Sequence, residues 1–324
     1  MSGLGMKTIF SAMAISLISA SAFAEFPEKP VKLIIGYSPG GGTDTYGRAL
    51  ASVAPEYLNE QPLIIVNKPG GSGLPAAKLV AESNADGYTL YLASGGSYYF
   101  STQFRKDPDA DPFKDFKMVC MVGLHFPAIY VHKDSKYKTL QDLAADIKAK
   151  PGELRYATTG RTSVWGIASL AFLQKNDMGA VGVPATGGGP ARALLIGNQV
   201  DFGIIGVNLI KGFEDSLRML AVMYPDRDQG NKEIPTVEEL GLKSLEVSTP
   251  TILMAPKDVP DAVIAKLDSA CKQMAEHKAF KELLQKSGLS AKYRSSAETV
   301  TYIKELTDSW QPLIADVKKM APSQ

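Results

Sequence analysis

The chain has 324 residues, 45% hydrophobic and 21% charged, enough to bury a sizeable core and, at about 150 residues per domain, to form about two domains. That composition excludes collagen-like, disordered and coiled-coil architectures. The 35 basic and 34 acidic residues leave a formal charge of +1, so no global field draws in nucleic acid or an anionic membrane, and any anion specificity must be local.

Lys7 is followed by an apolar run from Ile9 to Leu17 and then by Ala22-Phe23-Ala24, the small-x-small pattern of a secretory cleavage site. The run is shorter than the roughly 20 residues of a spanning helix. Residues 1–24 are therefore expected to be a signal peptide cleaved after Ala24, leaving a periplasmic chain with 34 basic and 34 acidic residues. Two cysteines, Cys120 and Cys271, are too few for a disulfide framework. Cys271 falls on the stripe Val263, Ile264, Leu267, Cys271, Met274, which predicts a packed thiol on a helix face; nothing in the sequence supports a bond to Cys120.

The mature chain opens with a strand at Val31–Gly36, the loop Ser38-Pro39-Gly40-Gly41-Gly42-Thr43-Asp44 and a helix from Tyr46 to Leu58. A second strand, Leu63–Val66, leads through Lys68-Pro69-Gly70-Gly71-Ser72-Gly73 to a helix over Pro75–Glu82. A third strand, Tyr88–Ala93, ends in the loop Ser94-Gly95-Gly96-Ser97. The second half repeats the theme. Leu154–Ala157 leads into Thr158-Thr159-Gly160-Arg161-Thr162-Ser163, Val181–Pro184 into Thr186-Gly187-Gly188-Gly189-Pro190, and Phe202–Val207 ends near Asn208. Such alternation predicts largely parallel sheets whose ligands lie beyond the carboxyl ends of the strands, where these loops fall. Val122–Val131 and Glu246–Pro256 look like crossings between two halves, and helices are expected over Pro260–Met274, His277–Lys286 and Glu298–Lys319, with capping boxes at Thr236/Glu239 and Ser295/Glu298.

A glycine loop entering a helix exposes backbone N–H groups and the positive end of the helix dipole, an anion cradle without a fixed charge, although glycines also serve plain βα turns. No loop ends in the Gly-Lys-Ser/Thr of a phosphate loop, and no G-x-G-x-x-G follows the first strand. His125, His132 and His277 have no motif context that would make one of them a catalytic base. Metal-ligand spacing is absent from the sequence, so neither a metal nor a cofactor is expected. Asp44 suits a helix cap better than a ligand contact. Arg161 fits a carboxylate with its planar fork, and equally fits a salt-bridged surface. Thr162 and Ser163 suit capping or hydroxyl donation to a ligand, and Tyr98, Tyr99, Phe100 and Trp165 either core or an apolar wall.

Taken together, Phe26-Pro27-Glu28-Lys29-Pro30-Val31, Pro39-Gly40-Gly41-Gly42-Thr43-Asp44, Asn67-Lys68-Pro69-Gly70-Gly71-Ser72-Gly73 and Asp86-Gly87-Tyr88-Thr89-Leu90 resemble the solute-binding receptors of tripartite tricarboxylate transporters, also called the Bug receptor family. The second half agrees through Tyr156-Ala157-Thr158-Thr159-Gly160, Gly187-Gly188-Gly189-Pro190-Ala191, Gln199-Val200-Asp201 and Ile234-Pro235-Thr236-Val237. The resemblance implies an α/β, two-lobed periplasmic binding protein of type II-like form, each lobe a βα sandwich, with the ligand cleft between lobes. Lobe 1 would comprise residues 25–125 plus 249–324 and lobe 2 residues 126–248. It further implies carboxylate contacts from Tyr37, Ser38, Gly41, Thr43 and Asp44 on one side and from Thr159, Arg161, Thr162, Ser163, Thr186, Gly187 and Gly188 on the other, with Ser94 and Asn208. The chain departs from many relatives in reading Ala185-Thr186-Gly187-Gly188 where they have Tyr-Lys-Gly, and in carrying Arg161. The extra cation favours a ligand with at least two carboxylates, aliphatic or aromatic.

The expected function is capture of a small di- or tricarboxylate, closure about a hinge near Leu124–Ala128 and Thr249–Ile252, and delivery to the membrane permease of the transporter, with no nucleic-acid partner and no chemistry on the ligand. Two other readings remain open on sequence: an exported hydrolase using Ser163 or Ser94, and a sensor whose closed form docks on a signalling kinase.

Overall fold

The computed structural model describes residues 26–104, 110–228, 231–244 and 247–320, so the signal peptide expected over residues 1–24 and the cleavage expected after Ala24 lie outside the described residues. The first half builds strand β1 (Val31–Ile35), helix α1 (Gly42–Val53), β2 (Leu63–Asn67), α2 (Leu74–Ala81), β3 (Thr89–Ser94), α3 (Gly95–Gln103) and β4 (Phe116–His125). Then follow β5 (Pro127–His132), α4 (Leu140–Ala149), β6 (Arg155–Thr158), α5 (Val164–Lys175), β7 (Val181–Pro184), α6 (Gly188–Ile196), β8 (Phe202–Gly206) and β9 (Leu217–Val222). The chain ends with β10 (Thr249–Pro256), α7 (Asp261–Glu276), α8 (Lys278–Lys286), β11 (Ala291–Arg294), α9 (Ser296–Ser309) and α10 (Gln311–Met320).

Two sheets result, in the orders β11-β4-β10-β3-β1-β2 and β7-β6-β8-β5-β9. The βαβ units pair in parallel, as periodicity predicts: Val31 lies opposite Leu63 and Leu33 opposite Leu90. The sheets are nevertheless mixed. β10 runs antiparallel between β3 and β4, and β5 antiparallel between β8 and β9. Strands that carry the chain across between sheets arrive without a crossover helix, and an antiparallel neighbour is the pairing such a connection allows. The first passage is a single residue, Phe126, between β4 and β5; the return runs from β9 to β10.

Each sheet is covered on both faces. In the first, Leu33, Ile35, Leu50, Cys120, Val263 and Leu267 fill one face, and Ile34, Leu74, Tyr91, Met254 and Ile303 the other. In the second, Ile129, Phe172, Phe202 and Val237 form one core and Tyr130, Leu195, Ile205 and Leu217 another. Tyr99 and Phe100 of α3, with Trp310 and Ile314, join the Phe172 core, so elements flanking the first sheet also pack into the second lobe. Phe100 and Trp310 lie 4.7 Å apart.

Three local expectations are corrected. Ser94-Gly95-Gly96-Ser97 is a helix start, not a loop: a Cβ on Gly95 would stand 2.6 Å from Ile252 and 3.1 Å from the Pro250 carbonyl, so glycine serves helix–strand packing. The reciprocal bonds of Thr236 and Glu239 form but open a turn, not a helix, whereas the Ser295/Glu298 box does start α9. Cys271 lies on the buried face of α7 as expected, but it is bonded to Cys120 of β4, with Cα atoms 6.6 Å apart. The packing of a strand against a helix 151 residues later was beyond sequence periodicity.

Candidate functional site

The four βα loops that follow β1, β3, β6 and β7 meet where the two sheets face each other. They place the N-termini of α1, α3, α5 and α6 around one cavity, lined by Tyr37, Gly41 to Thr43, Ser94, Ser97, His125, Thr159, Trp165, Gly188, Gly206, Asn208 and Leu209. No lining side chain is a Lys, Arg, Asp or Glu. The cavity measures about 30 Å³, room for two or three waters. An outer pocket of about 280 Å³ shares Tyr37 and Thr159 with it and adds Gly70 to Ser72, Arg161, Thr162 and Thr186.

The lobes touch through the loops themselves. Ser38 N–H donates to the Thr186 carbonyl at 3.2 Å, and the two hydroxyls lie 2.8 Å apart. A Cβ on Gly189 would stand 2.6 Å from the Pro39 carbonyl oxygen, and one on Gly41 3.3 Å from Gly188 N. Val164 N–H donates to Ser97 Oγ, and Ser101 Oγ to the Thr162 carbonyl. Side chains thus satisfy part of the α5 terminus, and Thr249 Oγ1 accepts from Gly96 N–H at α3. The N-caps of α1 and α6 are Gly41 and Gly187, which bring no side-chain acceptor.

Asp44 is buried and does not line the cavity. Its carboxylate accepts from Gly40 N–H at 2.9 Å, Arg48 Nε at 2.8 Å and Asn67 Nδ2 at 3.0 Å, which fixes the first loop. Ser163 caps α5, its hydroxyl held by Gly160, Gly166 and Thr159. Ser94 Oγ pairs with Thr249 Oγ1. Tyr37 donates its hydroxyl to the Ser72 carbonyl, and burial pushes its pKa up to about 12.

Of the residues expected at the site, Tyr37, Gly41, Thr43, Ser94, Thr159, Gly188 and Asn208 line the inner cavity. Arg161, Thr162 and Thr186 stand in the outer pocket, Arg161 exposed. Ser38 and Gly187 pack on each other across the lobes, and Asp44 and Ser163 hold their own loops. His125 was missed. It ends β4 opposite Thr249 of β10, with its ring centroid 5.5 Å from that of Trp165 and 6.2 Å from that of Tyr46. Burial drives its pKa down to about 3, so the imidazole is neutral. The available signal was a polar residue inside an otherwise apolar crossing segment, which faces both lobes at once.

Residues 47–318 match the tripartite tricarboxylate transporter family receptor. Protein BugT of Bordetella pertussis is 28% identical over 296 residues, 90% of this chain and 90% of its own. A solved structure described as a periplasmic transporter superposes with a TM-score of 0.84 at 27% identity, covering 91% of this chain and 98% of that one. MatC from Rhodopseudomonas palustris with bound malate gives 0.83 at 25% identity, covering 89% and 100%. Fold, loop order and the match across both lobes agree, and the chain belongs to the tripartite tricarboxylate transporter receptors.

Proposed function

We propose that this chain is a periplasmic receptor which holds a small dicarboxylate or tricarboxylate in the interlobe cleft and hands it, unchanged, to the transporter's membrane permease. The observation that carries the reading is four helix N-termini directed at a cavity lined without formal charge. Each terminus carries roughly half a positive charge, and those of α1 and α6, whose glycine caps bring no side-chain acceptor, present N–H groups to an anion. α1 and α6 meet almost tip to tip, an arrangement that repels until an anion sits between them. A carboxylate is the fitting anion, and MatC, which shares this fold, holds malate.

One carboxylate would lie among Gly41, Thr43, Ser94, Thr159 and Gly188, and the second would reach past Tyr37 toward Arg161, Thr162 and Thr186 in the outer pocket. Ser38 and Gly187 would join the lobes behind it, while Asp44 and Ser163 would keep the loops in shape. We take residues 25–125 with 249–324 as one lobe and 126–248 as the other, hinged at Phe126 and before Thr249. Export would be directed by residues 1–24 and end in cleavage after Ala24.

The test is calorimetric titration of protein refolded from denaturant, to strip any bound solute, with succinate, malate, citrate and acetate. At least one polycarboxylate binds, and Arg161→Ala weakens it on the order of tenfold while changing acetate less than about twofold. Equal losses for both classes rule out an ionic contact from Arg161. Binding of no carboxylate at all sinks the receptor reading.

A further inference from the structure

At the inner end of the cleft two buried polar atoms stand without a hydrogen-bond partner: Nδ1 of His125 and Oδ1 of Asn208. Their residues are 4% and 6% exposed. Of the seven such atoms among the described residues, these two alone belong to side chains that line the cavity. Native interiors rarely leave such groups unpaired, because each costs its desolvation.

The two side chains stand beside the same glycine. A Cβ on Gly42 would lie 3.3 Å from His125 Nε2 and 3.4 Å from Asn208 Oδ1, so both polar atoms flank one short stretch of backbone at the wall of the cavity they line. A Cβ on Gly206 of the other lobe would lie 2.7 Å from Asn208 Oδ1 and 3.8 Å from His125 Cδ2, so the same two side chains also neighbour β8. The rings of Trp165 and Tyr46 fix the direction of the imidazole.

Their chemistry is complementary. Burial keeps the imidazole neutral, so it has one donor and one acceptor nitrogen. With the proton on Nε2, Nδ1 is left with only a lone pair to bury and Nε2–H stands beside Gly42 at the cavity wall. Asn208 Oδ1 accepts there. A hydroxyl satisfies both at once, accepting from the imidazole and donating to the amide oxygen. A carboxylate only accepts, and would oppose the amide oxygen.

We infer that His125 and Asn208 form a hydroxyl-binding subsite, which makes the preferred solute a hydroxy-dicarboxylate over its unsubstituted counterpart. The inference rests on the carboxylate reading above. Malate and succinate differ only in that hydroxyl, so both are titrated into the refolded wild type, His125→Phe and Asn208→Ala. Wild type binds malate at least about tenfold more tightly than succinate. Each variant brings the ratio to within about twofold, by weakening malate while leaving succinate unchanged. Equal wild-type affinities, or variants that weaken both ligands alike, overturn the subsite and leave the receptor reading standing. Binding of neither ligand overturns the dicarboxylate reading and the subsite with it. Should His125→Phe lose its circular dichroism spectrum, the wild-type ratio and Asn208→Ala decide.

Discussion

His125 is buried, and that has a consequence for stability as well as for binding. Its folded pKa is about 3 against an ordinary 6.5. Above pH 6.5 neither state is protonated there and the group is silent. Between pH 6.5 and about 3 the unfolded chain takes up the proton and the folded one does not, so stability falls by about 1.4 kcal/mol per unit. Urea unfolding at pH 7.5 and pH 5 is expected to show a loss of about 2 kcal/mol in wild type that His125→Phe lacks. An equal loss in both would mean the imidazole is not the source. Asp146, held low by Lys136, Tyr137 and Lys150, acts on the carboxylate range below that window. At this scale the sequence made loop residues such as Thr43, Thr159 and Gly188 legible, because small residues after a strand announce a βα turn. The roles of Asp44 and His125 were not legible. Asp44 finds Asn67 on a neighbouring strand and the His125 ring finds Trp165 of the other lobe, and both contacts are made by tertiary packing.

Strands and helices were legible wherever one face is buried and periodicity is clean, as in β1, β6 and α7. What escaped was strand direction, because β5 and β10 have the same apolar pattern whichever way their neighbours run. The single long helix expected over Glu298–Lys319 is two, α9 and α10, parted at Trp310, whose ring packs into the second lobe's core. The Cys120–Cys271 bond ties β4 to α7 across 151 residues. Closing so long a loop restricts the unfolded chain, and replacing both cysteines by alanine is expected to cost between about 2 and 5 kcal/mol. Guanidinium unfolding of the double variant checks this, and a midpoint equal to wild type would show that the link does not stabilise the fold.

The molecule as a whole turns on closure, and Gly189 separates closure from folding. Within α6 alone, alanine is the better helix former by about 1 kcal/mol. In the closed arrangement its Cβ would meet the Pro39 carbonyl oxygen at 2.6 Å, a backbone atom that cannot step aside. Gly189→Ala is therefore expected to leave the unliganded protein as stable as wild type, to enlarge its radius of gyration in small-angle scattering, and to weaken solute binding on the order of tenfold. Unchanged affinity would show that the solute is held without loop contact across the cleft. Two lobes and a cleft were legible from the order of the glycine loops. How tightly those loops press on one another was not, since it depends on the path through Phe126 and on Tyr99, Phe100 and Trp310 bridging the lobes.

The place of β10 also dictates an order of events during synthesis. It lies in the middle of the first sheet, between β3 and β4, yet it is encoded at residues 249–256, after all strands of the second sheet. A growing chain can complete the second sheet while β3 and β4 still lack the partner that joins them. Until that strand emerges, two long open edges persist, the condition under which chains pair wrongly or are kept unfolded by holding factors. The N-terminal part of this protein is thus the last to become a finished domain, and a ribosome stalled before residue 249 leaves the later-made lobe intact and the earlier one open.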